Sequence, residues 1–374
     1  GLLQARHNDL RTTTLASALF DQPTRGNLAG DRHYLDQVHA AWARHHDDRP
    51  EPADFVGGAH VVWAGSTPAG PAAFVAQRSP SIDGELAATV AFIEPTTVGP
   101  KVGPTDRFAS ADGSQPAHAA LLGDKRDVLV VLDPGYPVSW SAAADYRPDG
   151  TVDRTFETVT FTAGAAVLTV PTQRDKVTVA LRGATRWGSQ PITISNAAEI
   201  KARPHGQVPA MSVVQRTLPG AEAVWPADAA AQTELNIWYK TALARYRDDA
   251  GDHRPSTQTA WWIRGRTPDG RRLWVQSEAI YQDPARVLAV LGAPGATPRV
   301  IYGGTVDPRQ ALAVRLRLPD RQGVVVAARD AVLSYRAGTG AWLPVAGDAA
   351  LLPDAATMVR VIRGDKQPIL VPLP

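Results

Sequence analysis

The sequence predicts an α+β fold in which one module, a leading helix on a mostly antiparallel β-sheet, is used twice. Three internal echoes point there. Gly65-Ser66-Thr67-Pro68-Ala69-Gly70, then Phe74-Val75, returns as Gly265-Arg266-Thr267-Pro268-Asp269-Gly270, then Trp274-Val275, at an offset of 200 residues. Upstream, Ala43-Arg44-His45-His46-Asp47-Asp48 returns as Ala244-Arg245-Tyr246-Arg247-Asp248-Asp249 at 201. Later, Ala163-Gly164-Ala165-Ala166-Val167-Leu168 returns as Ala346-Gly347-Asp348-Ala349-Ala350-Leu351, at about 182. T-P-x-G alone is common turn chemistry, because Pro presets φ and Gly accepts positive φ. The order and near-constant offset of the matches argue for duplication. The period is far longer than the 20–50 residues of a solenoid. An all-β, β-propeller-like fold is the alternative, but its blade signature should recur every ~40–50 residues, and here it occurs twice.

Taken in order, residues 2–20 read as a polar N-terminal helix and 21–30 as turns. Asp31 can cap the next helix, where Leu35, Val38, Trp42 and His45 line one face. Tyr239, Leu243 and Tyr246 form the matching line. Both helices should stop at their Asp-Asp pairs, since negative charge opposes the C-terminal dipole, with Pro50 and Pro255 beyond. Strand signals follow at 60–64, 72–77, 88–92, 128–132, 138–142, 156–161 and 177–181. In the second half they fall at 259–264, 273–277, 287–291, 300–302, 312–316, 324–327, 332–335, 358–362 and 369–371. Short strands without long intervening helices imply antiparallel pairing. The Pro-rich stretch 189–228 reads as the connection. This gives an N-terminal helical segment over 1–30, a first module over 31–205 and a second, diverged module over 206–374.

Composition limits the function classes. The 374 residues are 44% hydrophobic with ten Trp, enough for sizeable cores. Net charge is +2 and the 33 Arg are scattered, so nucleic acid is not an expected partner. The absence of cysteine excludes disulfides, thiolate metal sites and a Cys nucleophile. It is also compatible with export. No apolar run reaches the ~20 residues of a membrane span, and a membrane anchor upstream of residue 1 fits the reading.

No catalytic signature is present: nucleophile elbow, P-loop, H-E-x-x-H and EF-hand loop are all missing. No catalytic residue, cofactor or metal ligand is therefore assigned. The cluster His39, His45, His46, Asp47 and Asp48 has metal-ligand chemistry, but the second copy replaces its His pair with Tyr246 and Arg247, so it reads as a solvated helix end.

Aromatic residues around the repeated turn are the better binding candidates. Trp63 precedes the first turn, Trp261 and Trp262 precede the second, and Trp274 follows it. Successive strand residues point to opposite faces, so Trp262 is expected to face away from the core, with Arg264 beside it to stack or clamp an anion. The loop Asp133-Pro134-Gly135-Tyr136-Pro137-Val138-Ser139-Trp140 offers Tyr136 and Trp140 in the same way. The candidate ligand- or partner-binding set is thus Trp63, Trp262, Trp274, Arg264, Tyr136 and Trp140.

In general outline, a leading helix and antiparallel sheet present twice resembles tandem sensory ectodomains, an analogy of fold alone. The expected function is a non-enzymatic, extracytoplasmic ligand- or protein-binding module of a membrane-anchored or secreted protein, its partner a protein or small ligand. The alternatives are a hydrolase-type enzyme with its site at an interdomain cleft and a cytoplasmic assembly or scaffold subunit.

Overall fold

The computed structural model describes residues 19–48, 54–80, 86–108, 116–174, 176–201, 213–248, 250, 258–279, 285–293, 295–306 and 309–374. Most of the expected helix over 2–20 lies outside these residues, as do Pro50, Pro255 and the boundary at 205. Strands account for 46% of the described residues and helix for 13%. The α+β expectation is therefore corrected: the protein is mostly β, in several antiparallel sheets. Each leading helix covers one face of one sheet, and the opposite face of that sheet packs on a further sheet. The propeller alternative fails too, because the sheets stack in layers.

The chain divides into two compact units. The first holds the described residues up to Ala144, those from Arg154 to Lys201, and Ala250; the second holds Asp145–Asp153 and the remainder.

In the first unit, helix α1 (Arg32–Asp47) starts at Asp31, whose carboxylate accepts the Tyr34 N–H at 3.0 Å. Its buried stripe is Tyr34, Val38, Ala41, Trp42 and His46, at helical spacing. It lies on a sheet of β1 (Val56–Thr67), β2 (Gly70–Pro80), β3 (Leu86–Thr96) and β4 (Gly99–Val102), with β5 (Asp106–Phe108) also pairing with β3. Val61, Ala64, Val75, Ile93 and Val102 meet the helix. The opposite face, with Trp63, Phe74 and Phe92, packs on Leu122, Val128 and Val130.

Those last residues belong to β6 (Ala119–Leu122) and β7 (Val128–Leu132), which form a three-stranded sheet with β12 (Ala165–Thr169). A third sheet has the order β11 (Glu157–Thr158), β8 (Val138–Ser141), β13 (Ala180–Thr185), β14 (Gly188–Ile192). Alternate residues of the middle sheet, Leu121, Leu129 and Val131, face Val138, Leu181 and Ile192. The middle sheet is thus buried on both faces, which explains the unbroken apolar runs of β6 and β7. Asn196, fully buried just before α2 (Ala197–Lys201), fastens β6 by bonding both the N–H and the C=O of Leu121 and also reaches Glu94.

The second unit repeats this stack. Beside the hairpin β9 (Asp145–Tyr146) and β10 (Val152–Asp153), it contains β15 (Val214–Thr217), α3 (Ala229–Leu243) and the meander β16 (Gln258–Arg266), β17 (Arg272–Ala279), β18 (Arg286–Gly292) and β19 (Arg299–Thr305). β15 runs parallel to β16 and pairs Arg216 with Ile263; beside β1 the first unit has only an isolated parallel bridge, Arg25 with Trp63, among the described residues. The remaining strands are β20 (Val314–Arg317), β21 (Val324–Ala327), β22 (Val332–Arg336), β23 (Leu343–Pro344), β24 (Ala349–Leu352), β25 (Met358–Ile362) and β26 (Ile369–Pro372). Their sheets have the orders β20-β21-β24 and β23-β22-β25-β26, the same connectivity as β6-β7-β12 and β11-β8-β13-β14.

The repeated T-P-x-G turn folds differently in the two units. Thr67 pairs with Gly70, leaving Pro68 and Ala69 as a two-residue loop. Gly270 instead stays in the loop at φ +87°, and Thr267 donates its N–H to Arg271 O. One extra loop residue shifts the register and reverses which face each later side chain takes. The sequence match of Phe74 with Trp274 therefore does not survive: Phe74 faces the three-stranded sheet, whereas Trp274 faces the side on which α3 lies.

Candidate binding grooves beside the leading helices

Trp63 is 3% exposed and sits in the core between the five- and three-stranded sheets of the first unit. Tyr136 and Trp140 are half-buried against the core between the three- and four-stranded sheets. In the second unit Trp261 and Trp262 do take opposite faces of β16, but both faces are covered. Trp261 enters the inter-sheet core, and the half-buried Trp262 joins the cluster on the α3 side. There its ring lies 5.7 Å from that of Trp274, which also stacks on Tyr239 at 5.0 Å and meets Trp225 at 5.7 Å. Arg264 stands opposite Trp274 in the register of β16 and β17. The structure thus brings Trp262, Trp274 and Arg264 to one sheet face and places Trp63, Tyr136 and Trp140 elsewhere.

Below the end of α3 lies a charged cluster. Glu278, fully buried, accepts from Arg247 and from Gln276 at 2.8 Å each and has Arg286 at 3.5 Å. Burial works against the charged form of Arg247, but Glu278 outweighs it and holds the guanidinium pKa above its usual value. The equivalent place in the first unit holds aromatic and amide side chains instead. His46 stacks between Trp42 and Phe55 at 4.4 and 4.7 Å, and Gln77 accepts the Trp42 indole N–H at 2.7 Å. Glu278 Oε2 thus accepts both hydrogen bonds while Oε1 meets Arg286 at ion-pair distance only, and the cluster ties the segment after α3 to the sheet.

Open surface lies immediately beside it. A groove of about 460 Å³ runs between α3 and β19, lined by Trp238, Thr241, Ala242, Arg245, Tyr246, Pro298 and Val300. Trp238 forms a preset wall: its indole donates to Ala296 O at 3.4 Å, and its ring lies where a Cβ on Gly292 would be. The first unit has a groove of about 680 Å³ in the same place, lined in part by Ala41, Arg44, His45, Pro100, Lys101 and Val102. The helix residues correspond at an offset of 201, so that Ala41, Arg44 and His45 match Ala242, Arg245 and Tyr246. The strand residues correspond at 198, so that Pro100 and Val102 match Pro298 and Val300. Val102 and Val300 both lie on the fourth strand of the meander and pack towards the leading helix.

Sequence reasoning did not select these lining residues, although a signal existed. Trp238, Thr241, Ala242 and Arg245 follow the spacing i, i+3, i+4, i+7 of one helix face. The line through Tyr239, Leu243 and Tyr246 is its neighbour, and apolar content drew attention to that line because it is the buried one.

Among the described residues no cluster of three or more His, Asp or Glu is arranged to hold a metal, and no helix is long and apolar enough to cross a membrane. Compared with known proteins, the chain matches no family model, and no curated protein or solved structure is significantly similar to it.

Proposed function

We propose that the protein is a non-enzymatic binding module, part of an extracytoplasmic sensor or scaffold, that engages a protein partner through the groove beside α3. The observation that carries this reading is the recurrence of one groove, at matching helix and strand positions, in two units whose sequences have otherwise diverged. Core positions such as Trp42 and Leu243, or His46 and Arg247, have changed chemistry freely. An arginine has stayed at the rim of each groove. In the second unit, aromatic walls beside a cation suit a partner surface, where Trp, Tyr and Arg concentrate binding energy.

A photo-cross-linking residue placed at Thr241 in intact host cells tests the reading, with Asp365, exposed on a turn, as the control position. A discrete adduct at Thr241 and none at Asp365 is expected, and protease added outside the cells should degrade the adduct. Equal or absent labelling at the two positions refutes the groove as a binding site. Protection from the protease refutes the extracytoplasmic placement.

A further inference from the structure

We propose, resting on the binding reading above, that the occupant of the second unit's groove is an extended segment of a protein partner. Its acidic side chain pairs with Arg245, and an adjacent proline or leucine lies against Trp238 and Tyr246. Arg245 is exposed and is the one charged residue of the lining, and among the described residues no carboxylate lies within ion-pair distance of it. The first unit keeps this positive rim with Arg44 and adds Lys101; the acidic residue there, Glu199, already faces Arg126 at 3.9 Å. Positive charge is therefore the shared property of the two grooves, and it calls for an anionic ligand. The walls set the rest. Trp238, on α3, and Tyr246, on the 3-10 turn that follows it, stand about two turns apart, with Pro298 and Val300 opposite. A trough of aromatic rings suits an extended, proline-containing chain, and about 460 Å³ holds only a few residues.

One internal group competes. Asp149, on the β9–β10 hairpin of the same unit, is electrostatically coupled to Arg245. Its carboxylate accepts from the hydroxyl and the N–H of Thr151 at 2.6 and 3.0 Å. Anchored there rather than on Arg245, it opposes an acidic ligand without filling the ligand's place.

The test uses the full chain and a fluorescent, end-capped peptide, Pro-Leu-Glu-Leu-Pro, followed by anisotropy. The expected result is saturable binding, about fivefold weaker for the Gln-centred peptide, as for a solvent-exposed ion pair, and weaker in high salt. Arg245→Gln should remove the preference for Glu over Gln. Asp149→Asn should tighten binding of the Glu peptide. Arg44→Gln should change little, since His45 stands where the second groove has Tyr246. Equal affinity for the two peptides, no saturation with either, or an unchanged preference in Arg245→Gln overturns the proposal. If cross-linking at Thr241 still succeeds in that event, the groove remains a docking site and only the acidic chemistry of its partner is wrong.

Discussion

His118 is the residue whose ionisation the fold constrains most plainly. The residue as a whole is half-buried, but its ring packs on Phe74 at 4.7 Å and Phe108 at 5.6 Å. Burial lowers its pKa from 6.5 to about 4, against the opposing pull of Asp106. A folded pKa below the unfolded one means that the unfolded chain binds the extra proton. The contribution to stability is complete above pH 6.5 and is lost as pH falls through about 4. Between those values the limiting slope is about 1.4 kcal/mol per pH unit. Urea unfolding of His118→Phe at pH 7 and pH 5 should show a smaller loss of stability than the parent. An identical loss would place the titration elsewhere.

Among the elements, the turn between β16 and β17 shows where sequence reading stopped. The T-P-x-G motif located both hairpins, and the apolar runs located β7, β18 and β21. Loop length was not legible, because Gly270 serves as well inside a three-residue loop as Gly70 does at the end of a two-residue one. That one residue decides which face Trp274 takes, and with it whether the aromatic cluster lies towards the core sheet or towards α3. The α+β expectation went astray for a related reason: β4, β12 and β14 are only four or five residues long and carry no clean apolar alternation, so periodicity undercounts them. The groove was missed because its second wall comes from β19 and the loop before it, which no helix pattern can reveal. Gly292 tests how firmly α3 is seated. In Gly292→Ala the new methyl meets the Trp238 ring. Overpacking of this kind costs about 1–3 kcal/mol, and the groove wall should move with it. A lower melting temperature and a shifted tryptophan emission are expected; an unchanged spectrum would show that Trp238 is not held against the strand.

For the whole molecule, the division into units does not follow a single cut in the chain. Asp145–Asp153 belongs with the second unit, where Arg286 donates to Gly150 O at 3.4 Å and the Tyr302 ring lies where a side chain at Gly150 would be. A fragment of residues 206–374 should melt cooperatively, and a synthetic peptide of residues 143–155 should raise its melting temperature. The shift should be about 2–4 °C for each kcal/mol of binding. A fragment without a transition would refute an independent second unit, and a peptide without effect would refute the hairpin's place in it.

The same hairpin bears on how the chain is made. Gly150 precedes Arg286 by 136 residues. At about 5–20 residues per second of synthesis, the finished hairpin waits on the order of 10 s before its binding partners leave the ribosome. Its composition suits the delay. Val152 is its one aliphatic strand residue, Asp149 caps its own turn through Thr151, and Arg147 closes on Asp153 at 2.6 Å. A segment that satisfies its own polar groups offers little for a passing chain to stick to, so the order of translation is reflected in which residues could be placed there.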